Sequence, residues 1–158
     1  MKILKNFLKK LIKRLSFLLV KLLRRFKVGR LILESINKET NSLTKTLRVK
    51  EVTLKLCIPN ELNLFRVESF TNKEPETINW IDEFEKNSVF WDIGSNIGLF
   101  SCYAAIKNNS TVYSFEPSVF NLEILSKNIN LNNLNEKITI FPLPLTNTSK
   151  KSKFKLSS

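Results

Sequence analysis

Two acidic residues, Asp92 and Glu116, stand where carboxylates could bind a ligand. Asp92 lies near the end of residues 89–93 and Glu116 directly follows residues 111–115, both short apolar or aromatic runs typical of β-strands. If the two runs are parallel strands, their carboxyl ends meet at one edge of a sheet, where open α/β folds bind ligands. Because Glu116 follows Gly94 by 22 residues, it is placed to accept hydrogen bonds from ribose hydroxyls.

The segment after the first strand begins with a sharp turn. Two of the chain's three glycines, Gly94 and Gly98, lie in it, and Asn96 between them tolerates positive φ better than most residues. In residues 99–106 the apolar side chains then recur with the spacing of a helix. A helix that begins directly after a parallel strand presents unpaired N–H groups to a carboxylate or phosphate. The turn, including Ser95, therefore predicts a cofactor-binding site.

The glycine spacing discriminates between two nucleotide cofactors. Dinucleotide binding needs the pattern G-x-G-x-x-G. This turn instead has Asp92-x-Gly94-x-x-x-Gly98, the spacing of S-adenosylmethionine (SAM) dependent methyltransferases, so an NAD-binding domain is disfavoured. A structural alternative also stays open, in which Asp92 caps the next helix and the glycines let that helix pack on the sheet.

Several segments resemble one known family. Residues 90–101 (FWDIGSNIGLFS), 114–118 (SFEPS) and 128–132 (NINLN) resemble the FkbM family of SAM-dependent methyltransferases, and residues 73–81 (KEPETINWI) resemble the segment before its first strand. The resemblance extends from about residue 64 to the C-terminus. It implies an α/β fold with the Rossmann-like parallel sheet of class I methyltransferases. It also implies O-methylation of a hydroxyl on a glycan, a lipid-linked sugar or a natural product.

With SAM as the implied cofactor, the candidate residues acquire roles. We expect the backbone of residues 94–98 to hold the methionine moiety, with Asp92 directed toward its ammonium group. Glu116 would hold the ribose, and Ser118 or Phe115 would flank the adenine. The predicted cofactor-binding set is Asp92, Gly94, Ser95, Asn96, Gly98, Glu116 and Ser118. No residue is assigned as general base, and no metal site is predicted in a chain without histidine.

The excess of basic residues is concentrated at the N-terminus. Residues 1–30 contain eleven Lys or Arg and no acidic residue, whereas residues 31–158 contain 15 basic and 14 acidic side chains. The net charge of +12 therefore does not predict nucleic-acid binding by the domain. Leucines recur every three or four residues between Leu4 and Leu22, which predicts a basic amphipathic helix over residues 1–33. Its longest uncharged run is residues 15–20, too short for a bilayer span of about 20 residues.

Three occupants of this helix's apolar stripe remain open: an anionic membrane surface, another helix, or the chain's own domain or a partner chain. The first would make the molecule a cytoplasmic protein that is peripheral at the inner membrane. Cys57 and Cys102 lack C-x-x-C spacing and are interpreted as reduced packing residues of an intracellular protein.

Other segments should connect this helix to the nucleotide fold. Residues 34–46 are polar and predict a linker, residues 47–58 alternate like a strand, and residues 64–70 predict a second strand of an antiparallel ribbon. Residues 75–84 predict a short helix with Trp80, Ile81 and Phe84 on its inner side. The predicted segments are thus a basic helix (1–33), a linker (34–46), a ribbon with a short helix (47–88) and a partial SAM-binding domain (89–158).

Beyond Glu116, the pattern predicts a helix with Ser118 as its N-cap, a third strand over residues 138–141 and one more strand within residues 150–158. The resemblance implies further strands after these. We therefore expect the chain to be the truncated, cofactor-binding part of a methyltransferase. The alternative is a non-catalytic remnant or a membrane-surface interaction module.

Overall fold

The computed structural model describes residues 2–147, and the chain divides into two compact units between Ser42 and Leu43. The strand predicted within residues 150–158 lies outside the described residues.

The N-terminal unit consists of two helices, α1 (Lys2–Leu23) and α2 (Lys27–Ser42). The predicted single helix over residues 1–33 is therefore wrong in its extent. A Cβ at Gly29 would lie 2.0 Å from the Leu23 carbonyl oxygen, so the close approach of α2 to the end of α1 requires glycine. Within residues 2–147 no helix combines the length and the apolar composition needed to cross a bilayer.

The linker predicted over residues 34–46 is also wrong, because residues 34–42 continue α2. The hydroxyl of Thr40 donates to the Ile36 carbonyl at 2.8 Å, and that of Ser35 donates to the Leu31 carbonyl at 3.0 Å. Polar side chains can satisfy themselves along a helix in this way. A polar sequence without Gly or Pro does not by itself end a helix.

The second unit begins with an antiparallel ribbon of β1 (Thr44–Val49) and β2 (Val52–Cys57). The sequence predicted one strand across this region with a break at Lys50, and that break is the hairpin turn. Lys50 has a φ of 53°, the left-handed conformation that tight hairpin turns use. The predicted antiparallel ribbon is present, but residues 47–58 supply its second strand and half of its first, and residues 44–46 of the predicted linker supply the rest of the first.

Residues 64–70, predicted as the second strand, belong instead to helix α3 (Glu61–Lys73). Its buried residues are Asn63, Val67 and Phe70, spaced by four and three residues as on one face of a helix. The side chain of Asn60 caps the helix by accepting the Asn63 N–H at 2.9 Å. The cap and this face outweigh the strand-like local composition.

The predicted short helix is confirmed as α4 (Pro75–Asp82), which begins at a proline. Its buried side chains are Ile78 and Ile81, whereas Trp80 is 55% exposed. The prediction that Trp80 faces inward is therefore wrong, since Ile78 and Ile81 occupy the core-facing side of the helix.

The remaining elements alternate strand and helix: β3 (Val89–Ile93), α5 (Leu99–Lys107), β4 (Thr111–Phe115), α6 (Val119–Leu131) and β5 (Ile138–Phe141). The three strands are parallel in the order β3-β4-β5. The predicted α/β class with a Rossmann-like parallel sheet is confirmed, preceded by N-terminal helices and an antiparallel ribbon. Asp92 pairs in register with Ser114, so the ends of β3 and β4 lie side by side.

The two faces of this sheet differ in exposure. Phe90 and Val112 are buried, 6% and 0% exposed, whereas Trp91 and Ile93 are 57% and 62% exposed. On the open face the Trp91 ring contacts that of Phe115 at 5.3 Å between centroids. Parallel sheets are usually covered on both faces. In the described part of the chain, only one face is.

Candidate cofactor-binding site

The turn between β3 and α5 has the backbone that its glycines predict. Gly94 and Gly98 have φ values of 80° and 79°, and Asn96 has 54°, all in the left-handed region that favours Gly and Asn. The N–H groups of Gly94 and Ser95 both donate to the Phe115 carbonyl, at 2.9 and 3.1 Å. The turn is therefore tied to the end of β4.

Glu116 is 6% exposed, and both of its oxygens accept backbone N–H groups. Oε2 accepts from Asn96 and Oε1 from Ser118, each at 2.8 Å. A carboxylate has about four acceptor sites, and these two hydrogen bonds occupy one on each oxygen. Glu116 thus orders both the glycine turn and the start of α6.

Asp92 is 8% exposed and sits in a chain of buried hydroxyls. The Ser101 hydroxyl donates to Asp92 Oδ2 at 2.5 Å and lies 2.7 Å from the Ser114 hydroxyl. Burial raises the pKa of the Asp92 carboxyl, against the opposing effect of the Ser101 hydrogen bond. The N-cap of α5 is Gly98, so Asp92 contacts this helix through a side chain of its first turn and does not occupy the cap position.

A cavity of about 370 Å³ opens beside the turn. Four predicted residues line it: Asp92, Gly94, Ser95 and Asn96. Helices α3 and α4 also line it, with residues that include Arg66, Ser69, Phe70, Thr77 and Trp80. The structure thus brings part of the predicted set together around one space.

The other three predicted residues, Gly98, Glu116 and Ser118, are not in the cavity wall. A Cβ at Gly98 would meet the side chain of Leu125 at 2.2 Å, so this glycine allows α5 and α6 to approach. Ser118 is the N-cap residue of α6, but its hydroxyl makes no capping bond. The predicted N-cap position is therefore confirmed, although it is the backbone N–H of Ser118 that is bound, by Glu116.

Two polar atoms of the turn, Ser95 Oγ and Asn96 Oδ1, are buried and have no hydrogen-bond partner among the described residues. Buried polar atoms nearly always have one. Both residues also line the cavity. A ligand with polar groups would satisfy them, and the amino, carboxylate and hydroxyl groups of SAM are of that kind.

Two contributing residues were missed by the sequence reasoning. Asn128, in α6, is fully buried and accepts the Cys57 N–H at 2.7 Å while donating to the Ile97 carbonyl at 2.8 Å. It thereby links the ribbon to the turn. The only sequence signal for Asn128 was that it begins one of the segments with family resemblance.

Arg66 was predicted to lie in a strand and so could not be assigned to the cavity.

Comparisons with known proteins find partial similarities, and the proteins matched are methyltransferases. No family model matches the chain, so membership of the FkbM family stays a prediction. A 48-residue stretch is 40% identical to the hexuronic acid methyltransferase AglP of Haloferax volcanii and covers 30% of this chain and 19% of that protein.

Two solved structures give similar partial matches. A SAM-dependent methyltransferase from Agrobacterium tumefaciens aligns with a TM-score of 0.47 and 15% identity over 63% of this chain and 32% of that one. TYW2 of M. jannaschii in complex with AdoMet aligns with a TM-score of 0.47 and 19% identity over 64% and 43% of the two chains. The chain thus spans less than half of each of these relatives.

Proposed function

We propose that this chain binds SAM and forms the cofactor-binding part of an FkbM-type methyltransferase. The observation that carries the proposal is the pair of unpartnered buried atoms, Ser95 Oγ and Asn96 Oδ1, in the wall of a cavity. This cavity lies where β3 ends, beside the parallel strand β4. Open α/β sheets bind their ligands at such edges.

In this proposal the glycine turn and the two acids at the strand ends bind the cofactor. The backbone of residues 94–98 would hold the methionine moiety, and the Asp92 carboxylate would attract its ammonium group. The unused acceptor sites of Glu116 would take ribose hydroxyls. When bound, SAM supplies a methyl group on a sulfonium, so the protein's part is to align donor and acceptor and to exclude water.

The acceptor in this proposal is a hydroxyl group on a glycan, a lipid-linked sugar or a natural product. The similarity to a hexuronic acid methyltransferase over 48 residues favours a sugar among these. The acceptor-binding groups and the general base are not assigned to residues of this chain.

Calorimetry on the full chain tests the proposal with SAM and NAD as separate titrants. We expect SAM to bind and NAD not to bind. Glu116→Ala and Asp92→Ala should each weaken SAM binding at least about tenfold, the order of one hydrogen bond to a charged group. Glu85→Gln, at an exposed position, is the matched control and should bind like the original chain.

A folded, monodisperse sample that gives no heat with SAM would refute the proposal. That result would favour the alternative, a non-catalytic remnant or interaction module. Binding of NAD in place of SAM would instead support a dinucleotide-binding domain.

We propose in addition that the N-terminal unit associates with an anionic membrane surface, as a protein peripheral at the cytoplasmic face of the inner membrane. Residues 1–30 contain eleven basic and no acidic residues, and such a segment is attracted by anionic lipids. Large apolar side chains of α1 are more than 50% exposed, among them Leu4, Phe7, Leu8, Ile12, Leu15, Leu18 and Leu19. An exposed apolar face beside basic residues is typical of a helix lying in a bilayer interface.

Co-sedimentation with vesicles tests this second proposal. The full chain should bind phosphatidylglycerol-containing vesicles and not pure phosphatidylcholine vesicles. Lys9→Gln with Lys10→Gln should weaken binding roughly tenfold or more, since each basic residue contributes about 1 kcal/mol. Lys55→Gln with Lys86→Gln removes the same charge elsewhere and should have little effect. Equal binding to both vesicle types, or self-association without vesicle binding, would exclude the membrane proposal.

A further inference from the structure

Arg66 is a cation in the cavity wall that the sequence reasoning assigned to no task. It lies on α3 and lines the same cavity as the glycine turn. Its Nη1 donates to Asn63 Oδ1 within α3 and to Asn121 Oδ1 on α6, both at 3.2 Å. Two helices therefore fix the position of the guanidinium.

The charge of Arg66 is incompletely compensated. Both acceptors of Nη1 are neutral amide oxygens, and no carboxylate of the described residues lies within ion-pair distance. Burial lowers the pKa of the guanidinium, and the charge of Glu116 offsets only part of that effect. Arg66 is half-buried, and an anion that hydrogen-bonds to its guanidinium would be more strongly bound than a neutral group.

The remaining donors of Arg66 suit one kind of anion. With Nη1 occupied, the guanidinium keeps the edge formed by Nε and Nη2, which makes no hydrogen bond to a described residue. This edge carries parallel N–H groups that match the two oxygens of a carboxylate. A neutral hydroxyl would use one donor and leave the charge uncompensated.

We propose that Arg66 binds a carboxylate of the ligand held in this cavity. The inference rests on the proposed function, which offers two sources of that group. One is the methionine carboxylate of SAM, and the other is the carboxylate of an acidic sugar acceptor.

Calorimetry on the full chain separates the two sources. In the first arm, SAM is compared with decarboxylated SAM for the original chain and for Arg66→Met. In the second, glucuronate is compared with glucose in the presence of S-adenosylhomocysteine. In the arm whose ligand supplies the carboxylate to Arg66, the original chain should bind the carboxylate-bearing ligand roughly tenfold to hundredfold more tightly than its counterpart. This is the range expected for hydrogen bonds to charged groups. Arg66→Met should lose that preference.

Two further variants keep the outcome interpretable. Arg66→Lys preserves the charge without the paired N–H groups and should recover only part of the preference; it also serves if Arg66→Met does not fold. Arg48→Met, at an exposed position on β1 outside the cavity, should behave like the original chain.

The outcomes distinguish failure of this inference from failure of the proposed function. If SAM binds but neither arm changes in Arg66→Met, the carboxylate assignment is overturned while SAM binding stands. If SAM does not bind the original chain at all, the proposed function fails first.

Discussion

The backbone N–H of Asn96 donates to Glu116 Oε2 at 2.8 Å, so the acid at the end of β4 holds the turn that follows β3. Because Oε1 also accepts the Ser118 N–H, one buried carboxylate orders two of the backbone segments predicted to surround the cofactor. If SAM binds as proposed, stability and cofactor binding are coupled through this single side chain.

Glu116→Gln should reduce both the stability of the fold and the affinity for SAM. The amide keeps one acceptor oxygen but turns an NH₂ group toward the second backbone N–H, which leaves that donor unpaired. We expect the free energy of unfolding to fall by about 1–3 kcal/mol, measured by urea denaturation followed by circular dichroism. Glu123→Gln, which removes an exposed carboxylate paired with Lys127, should cost less than about 0.5 kcal/mol. If Glu116→Gln and Glu123→Gln lowered the free energy of unfolding equally, the proposed role of Glu116 in ordering the two backbone segments would be contradicted.

Gly98→Ala should destabilise the fold more than Gly94→Ala. Both positions have positive φ, which costs a residue with a Cβ about 1–2 kcal/mol. A Cβ at Gly94 would meet no atom within 4 Å, whereas one at Gly98 would meet the buried Leu125 side chain at 2.2 Å. Thermal and urea unfolding of the two variants provide the comparison. A Gly98→Ala variant that is no less stable than Gly94→Ala would show that this contact relaxes without cost.

Asp92→Asn should change how stability depends on pH. Since burial raises the Asp92 pKa in the fold, the unfolded chain ionises first as the pH rises above about 4. The stability associated with the protonated carboxyl is complete at lower pH and is lost as the pH rises toward the folded-state pKa. The variant cannot ionise and can still accept the Ser101 hydrogen bond.

Urea unfolding of both chains between about pH 4 and pH 7 measures this effect. The variant should gain stability relative to the original chain as the pH rises, and it should bind SAM more weakly because it lacks a charge for the ammonium group. A stability difference that is constant across this range would contradict the prediction.

Phe90→Ala should cost far more stability than Trp91→Ala. Phe90 is 6% exposed in the core, and a change of this kind typically costs about 3–5 kcal/mol. Trp91 is 57% exposed on the open face and should cost about 1 kcal/mol or less. Denaturant unfolding of the two variants measures which of them loses more stability. A larger loss of stability for Trp91→Ala would mean that the open face is covered in solution.

The sequence by itself determined β3, β4 and β5, the positions of α4 and α5, and the backbone conformation of the glycine turn. These features depend on neighbouring residues: a short apolar run, a proline at a helix start, and glycines where φ is positive. Local sequence patterns gave the wrong secondary structure where contacts with distant segments decide the conformation. Residues 64–70 resemble a strand, yet they form α3, whose Val67 and Phe70 are buried in the core.

Only the tertiary structure decided how the site is assembled. The convergence of Arg66 with the glycine turn on one cavity, and the use of both Glu116 oxygens by backbone N–H groups, involve segments that are distant along the chain. A periodic pattern reports which face of one element is apolar, but not which side chain from another element meets it. For that reason the sequence identified the acids at the strand ends, while their partners became visible only in three dimensions.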